Sequence, residues 1–119
     1  MKSPTQQTLR YLRAQGFVVD ILEHWQAFAK RRKDLYGFGD VMATGNGMNV
    51  IVQTTSWSNV GARRKKILSD KCRVAALSWI VCGGQVWVHG WKKIERPGKR
   101  NVYELKEIRM TEEDFSESS

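Results

Sequence analysis

A chain of 119 residues is long enough for one domain and too short for two ordinary ones. It is 41% hydrophobic and carries 20 Lys+Arg against 12 Asp+Glu, for a net charge of +8 and a pI near 9.8. This balance excludes a disordered acidic chain, and the absence of any apolar run near ~20 residues excludes a membrane-spanning helix.

The charge is uneven. Residues 101–119 hold six acids and two bases, a net of −4, which leaves +12 on residues 1–100. A basic body with an acidic end fits either a solvated basic surface or a polyanionic partner, most often nucleic acid. Cys72 and Cys82 have no third or fourth ligand at zinc spacing, so buried free thiols in a reducing, cytoplasmic setting are expected. The first residues, MKSPTQQ, lack the apolar core of a signal peptide.

Ser3-Pro4 predicts a helix start, with Ser3 as N-cap and Pro4 at the first helical position. Leu9 and Leu12 follow at helical spacing, and Gly16 closes the element. Phe17–Trp25 reads as one strand, with Phe17, Val19, Ile21, Glu23 and Trp25 on one face. Glu23 is then a carboxylate near the strand's end, either at a wet rim or aimed at a site. Residues 26–33 form a basic connection, and Lys30, Arg31, Arg32 and Lys33 suit a solvated loop or a phosphate-contacting one.

Gly37 and Gly39 flank Phe38 ahead of Asp40, where the chain must bend. Asp34, six residues earlier, is a turn residue or a second acid at the site. Thr44-Gly45-Asn46-Gly47 is a hairpin-turn signal. It leads to Met48–Gln53, a strand apolar on both faces and therefore central. Within it Ile51, Gln53 and Thr55 share one face, and Val50, Val52 and Thr54 the other.

Val60–Leu68 predicts a helix with Asn59, Arg63 and Lys66 on a common face. Ser69-Asp70 restarts it, and Val74, Leu77, Ile80 and Val81 continue an apolar stripe to Gly83-Gly84. Gln85–Trp91 alternates as a strand, with His89 beside Trp87 and Trp91, as a packed group or a proton relay. A basic loop is expected over 92–100, then a strand or short helix over 101–110, then a frayed tail over 111–119. Trp57, in the loop before the helix, is core or a base-stacking group. The sum is an α+β domain, 1–110, with a central mixed sheet flanked by helices.

The αβββαβ order, the G-F-G-D-V of residues 37–41, the apolar strand ending Q-T-T at 53–55 and the following S-N-V-G-A-R-R-K-K together resemble the PD-(D/E)XK nuclease superfamily. Its small resolvase-type and phage-type members are the nearest in flavour. The resemblance spans residues 4–91 and implies a restriction-endonuclease-like core. It implies a Mg²⁺- or Mn²⁺-dependent DNA endonuclease, on branched or structured DNA, in a host cytoplasm if of phage origin, with a homodimer suited to paired cuts.

Asp40 would match the first motif's aspartate, Gln53 the acid of E-x-K, Thr55 its lysine and Glu23 the additional glutamate. The implied metal ligands are Asp40, Gln53 and Glu23. Gln53 keeps a coordinating carbonyl, whereas Thr55 supplies no cation, and Lys66 or Arg63 from the next helix would stand in for it. DNA contacts would come from Arg31, Arg32, Lys33, Trp57, Asn59, Arg63, Lys92 and Lys93. The alternative is a nuclease-fold protein that binds nucleic acid without cutting it, and a third reading is an assembly protein with a basic surface.

Overall fold

The structure is a computed structural model that describes residues 3–22, 24–26, 31–33 and 35–117. Its first helix, α1 (Pro4–Ala14), starts as expected: Ser3 Oγ accepts the Gln6 N–H at 3.2 Å, and Pro4 needs no partner for the N–H it lacks. Gly16, at φ +92°, turns the chain into β1 (Val18–Ile21). The single strand expected over Phe17–Trp25 ends there. Residues His24–Gln26 form β2, which pairs instead with β3 (Arg31–Lys33) in a separate two-stranded ribbon. The basic stretch expected to be a plain loop is therefore partly strand.

Next come β4 (Val41–Gly45) and β5 (Met48–Ser56), joined by the expected tight turn. Asn46 and Gly47 have φ of +52° and +77°, the pair of positive values that a two-residue type I′ hairpin requires. A 3₁₀ turn, Trp57–Asn59, leads into α2 (Val60–Leu68), and Ser69 breaks the helix before α3 (Asp70–Val81). Two long strands follow, β6 (Gln85–Ile94) and β7 (Val102–Met110), so the last uncertain element is a strand and the basic loop is shortened to residues 95–101. Residues 112–117 are helix α4 rather than a frayed tail, with Phe115 1% exposed.

The five-stranded sheet runs β1-β4-β5-β6-β7. All its neighbours are antiparallel except β5 and β6, which the α2–α3 crossover leaves parallel. This mixed sheet flanked by helices is the α+β architecture the sequence pattern implies. Strand alternation splits the core in two. Val50, Val52, Val41 and Trp87 pack under α1 with Leu9 and Leu12. Ile51, Val86 and Val88 pack under α2–α3 with Phe38, Ile67 and Phe115. The central β5 is thus apolar on both faces, as its run of hydrophobics requires.

The stripe read along α3 is only half right. Leu77 and Ile80 pack against the core, but Val74 is 79% and Val81 61% exposed, and Cys72 and Ala76 take the buried positions. Both cysteines are free; Cys72 is buried as expected and Cys82 is exposed. Among the described residues no helix is long and apolar enough to cross a membrane.

Candidate active site and nucleic-acid interface

Asp40 is fixed before its carboxylate does anything. Its N–H donates to Val52 O at 2.9 Å, and its carbonyl accepts the Leu22 N–H at 2.8 Å, so its backbone is held from both neighbouring strands. Ahead of it the chain turns through Tyr36 and Gly37, at φ +58° and +84°, and Leu35 bridges to Gly39. A Cβ on Gly39 would lie 2.7 Å from Ile51 Cγ2, so only glycine lets the bend press onto β5. Phe38, fully buried, anchors the turn in the α2–α3 core.

The Asp40 carboxylate, 4% exposed in its residue, reaches the C-terminal half of β5. Its Oδ2 accepts from Gln53 Nε2 at 2.7 Å, from the Thr54 N–H at 2.8 Å and from Thr54 Oγ1 at 3.3 Å. Asp40 and Gln53, which the resemblance names together as metal ligands, do meet. Thr54, which the sequence reading passed over, supplies two of the three contacts, and its only sequence signal was its position between Gln53 and Thr55. Thr55 is buried, one alternation along from Gln53 and paired with Gly90 of β6.

The donor set fits a hard divalent cation in kind: a carboxylate and a neutral amide oxygen on paired strands. The deciding observation is Gln53 Oε1. It is buried and has no hydrogen-bond partner, in a residue only 3% exposed. A buried carbonyl normally finds a donor, and a cation is the other way to satisfy it. Among the described residues no three His, Cys, Asp or Glu side chains converge, so the cation would rest on one carboxylate and neutral oxygens. Glu23 and Asp34 lie outside the described residues, as does Lys30. Arg31, Arg32 and Lys33 are described by backbone alone, as the strand β3.

The α2 helix supplies cations. Val60 and Ile67 form its buried line, with Arg63 on one flank and Arg64 on the other. Arg64 donates to Asp114 of α4 at 2.8 Å, so Arg63 is turned to the flank away from α4, with Lys66 beyond it. Arg63 and Lys66 are half-buried, and neither pairs with a carboxylate among the described residues. Asn59 is exposed in the 3₁₀ turn.

Trp57, at the start of that turn, carries two cations on its ring: Lys92 Nζ at 4.1 Å and Lys106 Nζ at 5.7 Å from the centroid. Lys106 was missed, although its alternation with Glu104 and Ile108 was visible in the sequence. Lys92 also lies 3.6 Å from Glu104. Lys93, grouped with Lys92 in the sequence, points to the α1 face by alternation and lies 3.5 Å from Glu95. The two lysines therefore lie on opposite faces of the sheet.

His89 is fully buried, and each of its ring nitrogens has a polar partner. Its ring stacks on Trp87, with centroids 6.0 Å apart. Nδ1 lies 3.1 Å from Thr8 Oγ1, and Nε2 lies 2.8 Å from Glu107 Oε2. Thr8 Oγ1 also accepts Trp91 Nε1–H at 2.9 Å. The Glu107 carboxyl is held below the usual glutamate range, first by the His89 hydrogen bond, against the opposing effect of burial, and then by Arg109. This chain lies on the α1 face of the sheet, whereas Gln53 and Thr55 share the α2 face with Ile51.

The Asp40 site therefore lies along the carboxyl half of β5, where Gln53 pairs with Val88 in the parallel β5–β6 ladder. No protein-family model, curated protein or solved structure matches the chain.

Proposed function

We propose that the chain is a divalent-metal-dependent endonuclease acting on DNA, with a restriction-endonuclease-like core whose site is Asp40 and Gln53. The observation that carries this is the buried Gln53 Oε1, without a hydrogen-bond partner beside the Asp40 carboxylate. Mg²⁺ or Mn²⁺, when bound, supplies a Lewis acid and an acidified water for attack on a phosphodiester. Asp40 and Gln53 would hold it through oxygen, with Glu23 as the further ligand that the resemblance implies. The rigid backbone around Asp40 spares the site reorganisation as charge develops.

Thr55 leaves the place of a catalytic cation empty, and Arg63 or Lys66, on the adjacent helix and without acidic partners among the described residues, takes that role. Lys92 and Lys106 on Trp57 draw the phosphate backbone to the same end of the sheet. Branched or structured DNA is the substrate class, and a homodimer would place two such sites for paired cuts.

A second reading, binding without cleavage, is favoured by a specific observation. Asp40 Oδ2 already accepts three hydrogen bonds from Gln53 and Thr54, as a structural carboxylate does.

One experiment separates the two. Supercoiled plasmid and a four-way junction are incubated with Mg²⁺ or Mn²⁺ and either wild type or Asp40→Asn. Cutting by wild type, lost in a folded Asp40→Asn, is expected. Salt-sensitive binding by both proteins with no cutting under either metal would leave the binding-only reading standing. No salt-sensitive binding at all would remove both.

A further inference from the structure

A second cleft lies on the opposite face of the sheet. A cleft of about 820 Å³ opens between α1 and the β6–β7 hairpin, within the usual size range of ligand sites. Its walls are Gln7, Arg10 and Tyr11 of α1, with Trp91, Arg100 and Tyr103 opposite. Among the described residues no carboxylate lines it and neither arginine side chain is ion-paired.

Two of the rings are already set. Trp91 is tied through Nε1–H to Thr8 and meets Tyr11 edge-on at 6.1 Å. At the cleft's wall lies Gln7, whose residue is 6% exposed and whose Nε2 has no hydrogen-bond partner. A buried donor left unmade costs about 1–3 kcal/mol, so a ligand acceptor here would remove a standing penalty.

We infer that this cleft binds one unpaired nucleotide of a single DNA strand. The base lies against Trp91 and Tyr103, an acceptor on its edge takes the Gln7 N–H, and the phosphate lies with Arg10 and Arg100. Aromatic platforms beside a basic rim are how single strands are held without sequence preference. The guanidinium groups provide the forked donors that phosphate accepts. The cleft is at the same end of the sheet as Asp40, because Trp91 pairs with Ser56 at the end of β5, but it faces α1. The inference rests on the nucleic-acid reading above and adds to it a strand-separated segment flanking the scissile region.

The test is fluorescence anisotropy in EDTA, so that no strand is cut. The probes are a labelled oligothymidylate of about 15 nucleotides and a blunt duplex of equal length. Free thymidine monophosphate and inorganic phosphate serve as competitors. The variants are the exposed pair Arg10→Ala/Arg100→Ala and, separately, Gln7→Met.

Both variants should weaken oligothymidylate binding, by about tenfold for the arginine pair, and leave duplex binding within about twofold. Gln7→Met should also melt no lower than wild type, because it removes an unpaired buried donor. Thymidine monophosphate should compete better than phosphate, which shows that the base is bound as well as the anion. Equal losses on single strand and duplex, or no loss on either, would overturn the cleft assignment. So would phosphate competing as well as the nucleotide. Wild type that binds duplex and not single strand overturns the cleft alone, whereas wild type that binds neither overturns the nucleic-acid reading as well.

Discussion

Gln53 gives its amide N–H to Asp40 and leaves its carbonyl oxygen with no hydrogen-bond partner. Replacing it with glutamate converts the donor into a second carboxylate, 2.7 Å being the present distance between the facing atoms. Two buried carboxylates at that range cannot both ionise without a cation between them. Gln53→Glu should therefore lower metal-free stability by about 3 kcal/mol. Mn²⁺ should raise its melting temperature more than it raises that of wild type. Thermal melts with EDTA and with Mn²⁺ check this, and equal metal responses in the two proteins would sink the cation role of the pair.

Glu107 gives the α1 face a pH signature. Its carboxyl titrates below the ordinary value of 4.5, so the stability it contributes is complete above that value. That stability is lost as pH falls through the lowered folded value. Glu107→Gln keeps an acceptor for His89 Nε2–H but not the charge. It should be about 1–2 kcal/mol less stable than wild type at pH 7, with the gap closing below about pH 4.5. Urea midpoints of the two proteins between pH 7 and 3 test it, and a gap unchanged across that range would refute it.

What could be read in advance followed from local rules. The Ser3-Pro4 cap, the Asn46-Gly47 turn and the alternation of β5 each depend on a few adjacent residues, and each is where the sequence placed it. The meeting of Asp40 and Gln53 was legible for the same reason: a tight hairpin sets the register, and period-two alternation sets the face. The failures depend on distant partners. Nothing in residues 17–25 marks where β1 stops, because its end is set by pairing with β4 over Ile21↔Val41. Val74 and Val81 missed their expected burial because α3's buried side is chosen by Phe38 and Phe115, residues far away in the chain. Acidic composition hid the docking of α4, which depends on one aromatic.

That aromatic carries the next prediction. Phe115 is almost fully buried among Met110, Ile67 and Ala76, with the Arg73 guanidinium 5.6 Å from its ring centroid. Phe115→Ala should cost about 3 kcal/mol or more, as for other buried aromatics. Asp114→Ala loses the partly exposed Arg64 pair and the bonds that Asp114 Oδ2 accepts from the Thr111 N–H at 2.7 Å and from Thr111 Oγ1 at 3.3 Å at the start of α4, and should cost about 1 kcal/mol. Denaturant titration of the two variants gives the comparison. Equal and small effects would mean that α4 does not hold the core closed.

Gly90 links the sheet to the turn that presents Trp57. It faces Thr55 across β5–β6, and a Cβ there would overlap Val60 Cγ2 and stand 3.1 Å from Trp57 Cα and 3.2 Å from Ser56 O. Two of those neighbours are backbone and cannot rotate aside, so the 3₁₀ turn and the first residue of α2 must lift off the sheet. Gly90→Ala should cost about 1–3 kcal/mol and move Trp57 from beneath Lys92 and Lys106. Displacing the aromatic and its cations together should weaken duplex binding and reduce its salt dependence, while the cleft under α1 keeps its affinity for a single strand. Anisotropy titrations across a salt series read both quantities from one protein. A Gly90→Ala protein with wild-type stability and an unchanged salt slope would show that the turn tolerates the methyl group and that Trp57 is not placed by it.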